Sequence, residues 1–356
     1  MATIRKTRLG GRPPATGNMG RRKFLEITAA GLAIPGASGL LAACGSSSSS
    51  KPSSSTHGGK EIRLGFQTNM WGMPILVALE SGAFKKAGAT VDQTRVSTGG
   101  KARDLMVAGK LDMGTFSTPT FVIGAAKSKL QAVAVVAYAG ETLAIVARKG
   151  ITSVSQLKGK KIAMIPGAST TQVTINKILP AFDLHPGDYH KVNVKVPNMV
   201  ESLASGSVDA TATIEPANSI MVAKGLGTRL VTGEKWDRLP VLLTVTPEFA
   251  KATPDAVTAA CKAMLNTENL FKNDPAKAAG LILDYYKSQG LNVDDKIMKD
   301  ATSRLDVAVG LTPKLKDYVQ GVVQQQMRLG HISHNVDVSS ILVDKYMKQA
   351  GGESGR

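Results

Sequence analysis

Ser169, Thr170 and Thr171 follow a Pro166-Gly167 break, and that break ends a short apolar run from Ile162 to Ile165. Apolar residues then recur at Val173, Ile175, Ile178 and Leu179, a spacing that predicts a helix with one buried face. A strand entering a helix through a small-residue turn leaves the helix's first N–H groups unpaired off the strand's carboxyl end. Those donors, the positive end of the helix dipole and three hydroxyls make a seat for an anionic or polar ligand. The same residues would also serve as ordinary helix caps, so the rest of the chain must decide between the two readings.

Other strand-to-helix loops carry similar groups. Gln67, Thr68, Asn69 and Trp71 follow the strand pattern Ile62–Phe66 and precede the helix-opening Pro74. Thr98 follows the strand pattern Thr90–Val96, and Ser117 and Thr118 follow Asp112–Phe116, just before Pro119. In the second half, Asn198 and Glu215 occupy comparable places. Hydroxyl-rich helix starts favour a sulfonate, carboxylate or nitrate. An ionised Glu215 would repel such an anion and, with the ring of Trp71, would suit a flat nitrogen heterocycle such as a pyrimidine. Either residue could instead be structural, Glu215 as a helix-start carboxylate and Trp71 packed on its own lobe.

No metal or cofactor is expected. His185, His190, His331 and His334 lie in polar segments without cysteine partners, and Cys261 sits in an apolar helical pattern with Val257, Met264 and Leu265. No Ser-His-Asp ordering appears. Gly99-Gly100-Lys101 fails as a phosphate-binding loop, because residue 95 is Arg and residue 102 is Ala.

The elements that must position these loops alternate between strand and helix, which argues an α/β fold with mainly parallel sheets. The unit then recurs. Gly109, Asp112 and Pro119 are matched by Gly206, Asp209 and Pro216, with the same spacings of three and seven residues. Two α/β units in the same order predict two lobes, each a doubly wound sheet whose loops face a shared cleft. The segments Thr142–Lys149 and Leu239–Thr246 are expected to cross between lobes. Lobe I is then 60–141 plus 236–350, lobe II is 142–235, and helices from Pro254 onward form a helical C-terminal region.

The N-terminal residues read as an address. Arg21-Arg22-Lys23-Phe24-Leu25 precedes a broken apolar run too short for a comfortable membrane span, and Leu41-Ala42-Ala43-Cys44 ends it. Residues 1–43 are therefore expected to be a twin-arginine lipoprotein signal peptide with Cys44 as the lipidation site. Residues 44–59, with serine at 46–50 and 53–55, form a flexible tether. The chain has 356 residues and a formal charge of +17; setting aside the 7 basic and 1 acidic residues before Cys44 leaves 37 basic against 26 acidic, or +11. The remaining cations are scattered, without an aromatic-interleaved patch or zinc-finger spacing, which argues against nucleic acid.

The lipobox and serine tether resemble those of a solute-binding lipoprotein of an ABC importer. The stretches Pro74–Gly88 (PILVALESGAFKKAG), Gly109–Gly114 (GKLDMG), Leu157–Ile162 (LKGKKI) and Gly206–Ala210 (GSVDA), with Glu215-Pro216, resemble the nitrate/sulfonate/taurine and thiamine-precursor group of type II periplasmic binding proteins. The resemblance covers residues 60 to 250 well and the tail loosely. It implies a ligand held between the lobes by the loops after Phe66, Phe116, Ile165 and Ile214, in a binding protein and not an enzyme. It implies an exported, membrane-anchored monomer that hands its solute to a permease and its ATPase subunit. A thiamine-pyrimidine-synthase-like enzyme is the rival from another class, but its cysteine-rich motif is missing. A ligand-sensor domain would use the same cleft.

Overall fold

The computed structural model describes residues 61–291 and 293–351; the expected signal peptide (1–43), the expected tether (44–59) and Cys44 lie outside the described residues. Ten strands form two five-stranded sheets. The first contains β1 (Glu61–Gln67), β2 (Thr90–Val96), β3 (Met113–Ser117), β4 (Gln131–Tyr138) and, from much later in the chain, β10 (Pro240–Val245). The second contains β5 (Leu143–Arg148), β6 (Lys161–Met164), β7 (His190–Asn193), β8 (Ala210–Ile214) and β9 (Gly227–Thr232).

The strand orders are β2-β1-β3-β10-β4 and β7-β6-β8-β5-β9. In each sheet three strands pair in parallel, and one strand pairs antiparallel with both its neighbours: β10 in the first, β5 in the second. The sheets are thus mixed, with four strands in one direction and the fifth reversed. In each sheet the reversed strand is the one that directly follows a crossing, β5 after 139–142 and β10 after 233–239. The chain passes between sheets only at 139–142 and 233–239. The apolar segments expected to cross are themselves strands, because Leu143–Ala147 and Pro240–Val245 are buried on both faces and read as unbroken hydrophobic runs.

β4 shows how an edge is protected. Its sequence QAVAVVAY is apolar without alternation, and the tail covers it through bridges from Leu342, Gly310 and Asp306 to Ala132, Val135 and Tyr138. β7 and β9 escaped the sequence reading because they are short or half-exposed edge strands without a hydrophobic run.

One face of the first sheet packs on the helices Met73–Glu80, Pro254–Asn273 and Pro275–Ser288; the other packs on Gly99–Val107, Thr118–Ser128 and Pro313–Arg328. Met199–Ala204 and Ala217–Ala223 cover one face of the second. The helix Asp295–Ser303 packs on both Pro275–Ser288 and Ala217–Ala223, so the C-terminal helices touch elements of both sheets. None of the described helices is long and apolar enough to cross a membrane.

Candidate functional site

The carboxyl ends of β1, β3, β6 and β8 contribute loops to one cavity of about 160 Å³. Its walls include Gln67, Asn69 and Trp71 after β1, Ser117 after β3, and Ser169 and Thr170 after β6, with Thr98 from the loop after β2. These seven were expected from sequence, and the fold brings them together. Strands with a common direction release their loops at one edge, so two such sheets facing each other share a polar gap.

Three helices begin at this cavity: Gly99–Val107, Thr118–Ser128 and the one from Ser169. Thr98 caps its own helix, accepting a hydrogen bond from the Lys101 N–H at 3.3 Å. The residues before the other two, Ser117 and Ala168, make no side-chain cap, which leaves first-turn N–H groups for a ligand. The helix from Ser169 continues to Phe182 with a widened turn at Thr174–Ile178 and a tight final one. Pro180 lies at the change in winding and has no N–H to give the preceding turn.

Two buried groups stand out. Trp71 is 5% exposed, and its indole N–H donates to Thr142 Oγ1 at 2.7 Å. The backbone carbonyl of Thr142 in turn accepts from the Glu215 N–H at 3.1 Å and from Asn218 Nδ2 at 3.0 Å. Trp71 therefore lines the cavity while bonding to the crossing segment that holds the loop after β8. Thr170 is 2% exposed, and its hydroxyl has no hydrogen-bond partner. A buried hydroxyl without a partner is costly in a finished core and is what a site awaiting a polar ligand would contain.

Five of the expected residues do not line the cavity. Thr68 is a backbone link, its N–H bonded to Val96 and its carbonyl accepting from Tyr286 Oη. Thr118 donates its hydroxyl to the Pro240 carbonyl, and Thr171 donates to that of Ile165 at 2.7 Å. Glu215 turns away into a buried network, accepting from Arg229 Nη2 at 2.6 Å and from the Ser219 N–H at 2.9 Å, with Arg304 Nε at 3.5 Å. Burial pushes its carboxyl above the usual range, opposed by the Ser219 N–H and the two arginines. The Glu215-Pro216 peptide bond is cis. Asn198 is exposed and also does not line the cavity.

Residues missed from sequence include Arg103, Thr120 and Gln172. Each lies within the first turns of a helix whose opening residues were noticed. Each lies three or four residues beyond a residue at such a helix start (Gly99, Ser117 or Ser169), and positions three and four apart on a helix share a face. Arg103 is the only charged side chain lining the cavity among the described residues. A larger open groove of about 910 Å³ lies beside the second crossing segment, but most of its charges pair with one another, as in Lys177–Asp237, Arg238–Glu234 and Lys272–Glu268. Cys261 is buried, and its thiol is pushed up to about 12 by burial, which makes it inert.

A model of one protein family matches residues 56–283, well over half of the chain. The chain belongs to the NMT1-like family. Among relatives of this NMT1-like chain, the taurine-binding periplasmic protein of Escherichia coli is 25% identical over 222 residues, covering 60% of this chain and 67% of the relative. The nitrate/nitrite binding protein NrtA of Synechococcus elongatus is 28% identical over 304 residues, covering 72% and 67%. Among solved structures, the alkanesulfonate-binding protein SsuA of Xanthomonas axonopodis pv. citri, bound to MOPS, aligns with a TM-score of 0.69 at 18% identity. That alignment covers 80% of this chain and 99% of SsuA, and it shows the periplasmic-binding-protein fold for this NMT1-like member.

Proposed function

We propose that this protein is the extracytoplasmic solute-binding component of an ABC importer and that its cleft takes a small oxyanion. The observation that carries the charge preference is the set of groups on the cavity wall. Uncapped helix starts come from both sheets, the buried Thr170 hydroxyl is unpartnered, and the one charged side chain is Arg103. The pyrimidine reading needed a carboxylate beside Trp71, and Glu215 is instead bonded to arginines outside the cavity. A few charge-assisted hydrogen bonds of roughly 1.5–3 kcal/mol each would reach micromolar affinity, near −8 kcal/mol. Taurine and nitrate binding among the relatives supports the same class of ligand.

In this reading lobe I comprises residues 60–141 with 236–350 and lobe II residues 142–235. Ligand bonds both lobes and shifts the equilibrium of the two crossing segments toward closure, and the closed form delivers the solute to a permease with its ATPase subunit. Export by the twin-arginine signal and lipidation of Cys44 would hold the monomer at the outer face of the membrane. Calorimetric titration with methanesulfonate, taurine, nitrate, acetate and a hydroxymethylpyrimidine tests the ligand class. Saturable binding of an oxyanion with none of the pyrimidine is expected; binding of the pyrimidine alone would overturn the reading. Cys44→Ser should release the exported protein from the membrane fraction, and unchanged retention would refute the anchor.

A further inference from the structure

Arg103 lies on the second turn of the helix Gly99–Val107, with its side chain 17% exposed, and lines the cavity. Its guanidinium is bound to the next residue, with Asp104 Oδ1 accepting from Nη2 at 2.7 Å and from Nε at 2.9 Å. Successive residues on a helix point in different directions, so the arginine must bend aside to make this pair. The partner carboxylate is 60% exposed, where water and salt compete for it and the pair is weak.

The arginine's stem is built into the structure at a definite place. A Cβ added to Gly124, on the neighbouring helix Thr118–Ser128, would stand 3.0 Å from Arg103 Cγ and 3.4 Å from Cδ. The absence of a side chain at 124 therefore leaves room for the Arg103 stem between two helices whose starts both face the cavity. Only the end of the side chain is free to exchange one acceptor for another.

We propose that Arg103 is the charge-selecting residue of the cleft and that Asp104 is its resting acceptor. An anion entering between the lobes competes with the Asp104 carboxylate for the guanidinium and takes it over, while a neutral solute cannot. Asp104 thereby sets a threshold that weakly basic or neutral oxygen ligands do not cross. This inference rests on the oxyanion reading given above and adds the residue that enforces it.

The test is calorimetry on the purified protein with methanesulfonate and nitrate as probes and dimethyl sulfone as the neutral control. Arg103→Gln is expected to weaken both anions about 10- to 100-fold. Asp104→Asn frees the arginine and is expected to tighten them about two- to fivefold. Arg103→Lys should fall between wild type and Arg103→Gln, since a point charge replaces a fork that can bind two oxygens. Melting curves of each variant without ligand check that the fold is intact, and the gain expected for Asp104→Asn cannot arise from misfolding. If wild type binds the anions and neither Arg103→Gln nor Asp104→Asn changes their affinity, the role of Arg103 is refuted while the oxyanion reading stands. If wild type binds neither anion, the oxyanion reading itself fails and this inference falls with it.

Discussion

Asp112 and Asp209 make the same bond in the two sheets. The Asp112 carboxylate accepts from the Arg63 N–H at 3.0 Å and that of Asp209 accepts from the Lys161 N–H at 2.8 Å, while each aspartate's own N–H donates to the same partner's carbonyl at 2.8 Å. Each aspartate follows a glycine three residues earlier that holds a left-handed backbone, Gly109 at φ +68° and Gly206 at φ +71°. An L side chain is disfavoured there, so the glycine lets a helix end and turn sharply toward the sheet. The aspartate then satisfies a donor on the adjacent strand.

The two copies differ in what else they hold. Asp112 also binds Arg63 Nη2 and Nε with its side chain 3% exposed, whereas Asp209 pairs with the half-exposed Arg148 and is 15% exposed. Asp112→Ala should therefore cost about 3 kcal/mol and Asp209→Ala about 1–2 kcal/mol in urea unfolding. Equal costs would show that burial of the pair does not matter.

The duplication was legible because it is written in side chains whose chemistry is demanding, a positive-φ glycine and a strand-capping aspartate. The reversed direction of the strands β5 and β10 was not. An apolar run such as Leu143–Ala147 has the same pattern whichever way it runs in a sheet. Sequence located the loops that line the cavity but could not say which hydroxyls were already in use. Thr118 and Thr171 spend theirs on backbone carbonyls, and only tertiary structure brings the Pro240 carbonyl to Thr118. Arg103 was overlooked for a different reason, since a charged residue in an amphipathic helix ordinarily faces water.

Trp71 and Thr142 offer a test of how the cavity is tied to the crossing segment. Trp71→Phe keeps the ring's bulk but removes the indole donor, and Thr142 Oγ1 still donates to the Ala139 carbonyl at 2.7 Å. The expected loss is about 1 kcal/mol. Thr142→Val removes both side-chain bonds and leaves the buried indole N–H unpaired, while the Ala139 carbonyl keeps the Thr142 N–H at 3.1 Å, for about 2 kcal/mol. The double variant should cost less than the sum, and full additivity in a double-mutant cycle would deny the bond.

Asp300 links the helical tail to the second sheet and carries a pH signature. Burial raises its carboxyl pKa, but hydrogen bonds from Ser219 Oγ at 2.7 Å and from Arg304 at 3.0 Å outweigh that and hold it below the usual range. A carboxylate with a lowered folded-state pKa contributes stability above its unfolded pKa, about 3.9. That contribution disappears as pH falls through the folded value. Asp300→Asn should therefore be less stable than wild type at pH 7, and the gap should close below about pH 4. The side chain is 46% exposed, so the gap is small and should shrink further in high salt. A gap that persists at low pH would mean the aspartate acts through packing and not charge.

Thr170 and Thr171 are adjacent, nearly equally buried and opposite in role. Thr171 spends its hydroxyl on the Ile165 carbonyl and so fixes the turn between β6 and the helix, whereas the hydroxyl of Thr170 has no partner within the protein. Valine replaces either side chain with almost the same shape. Thr171→Val should lose about 1 kcal/mol of stability, because the Ile165 carbonyl loses its shorter bond and keeps only the Ala168 N–H at 3.3 Å. Thr170→Val removes a buried polar atom that bonds to nothing, so the unliganded protein should be as stable as wild type or slightly more so. Its cost should appear only with ligand, as a loss of about tenfold in affinity for the anion that this hydroxyl would otherwise bond. Urea unfolding without ligand and calorimetry with it separate the two effects. A Thr170→Val protein that is destabilised yet binds normally would place this hydroxyl in the framework and remove it from the site.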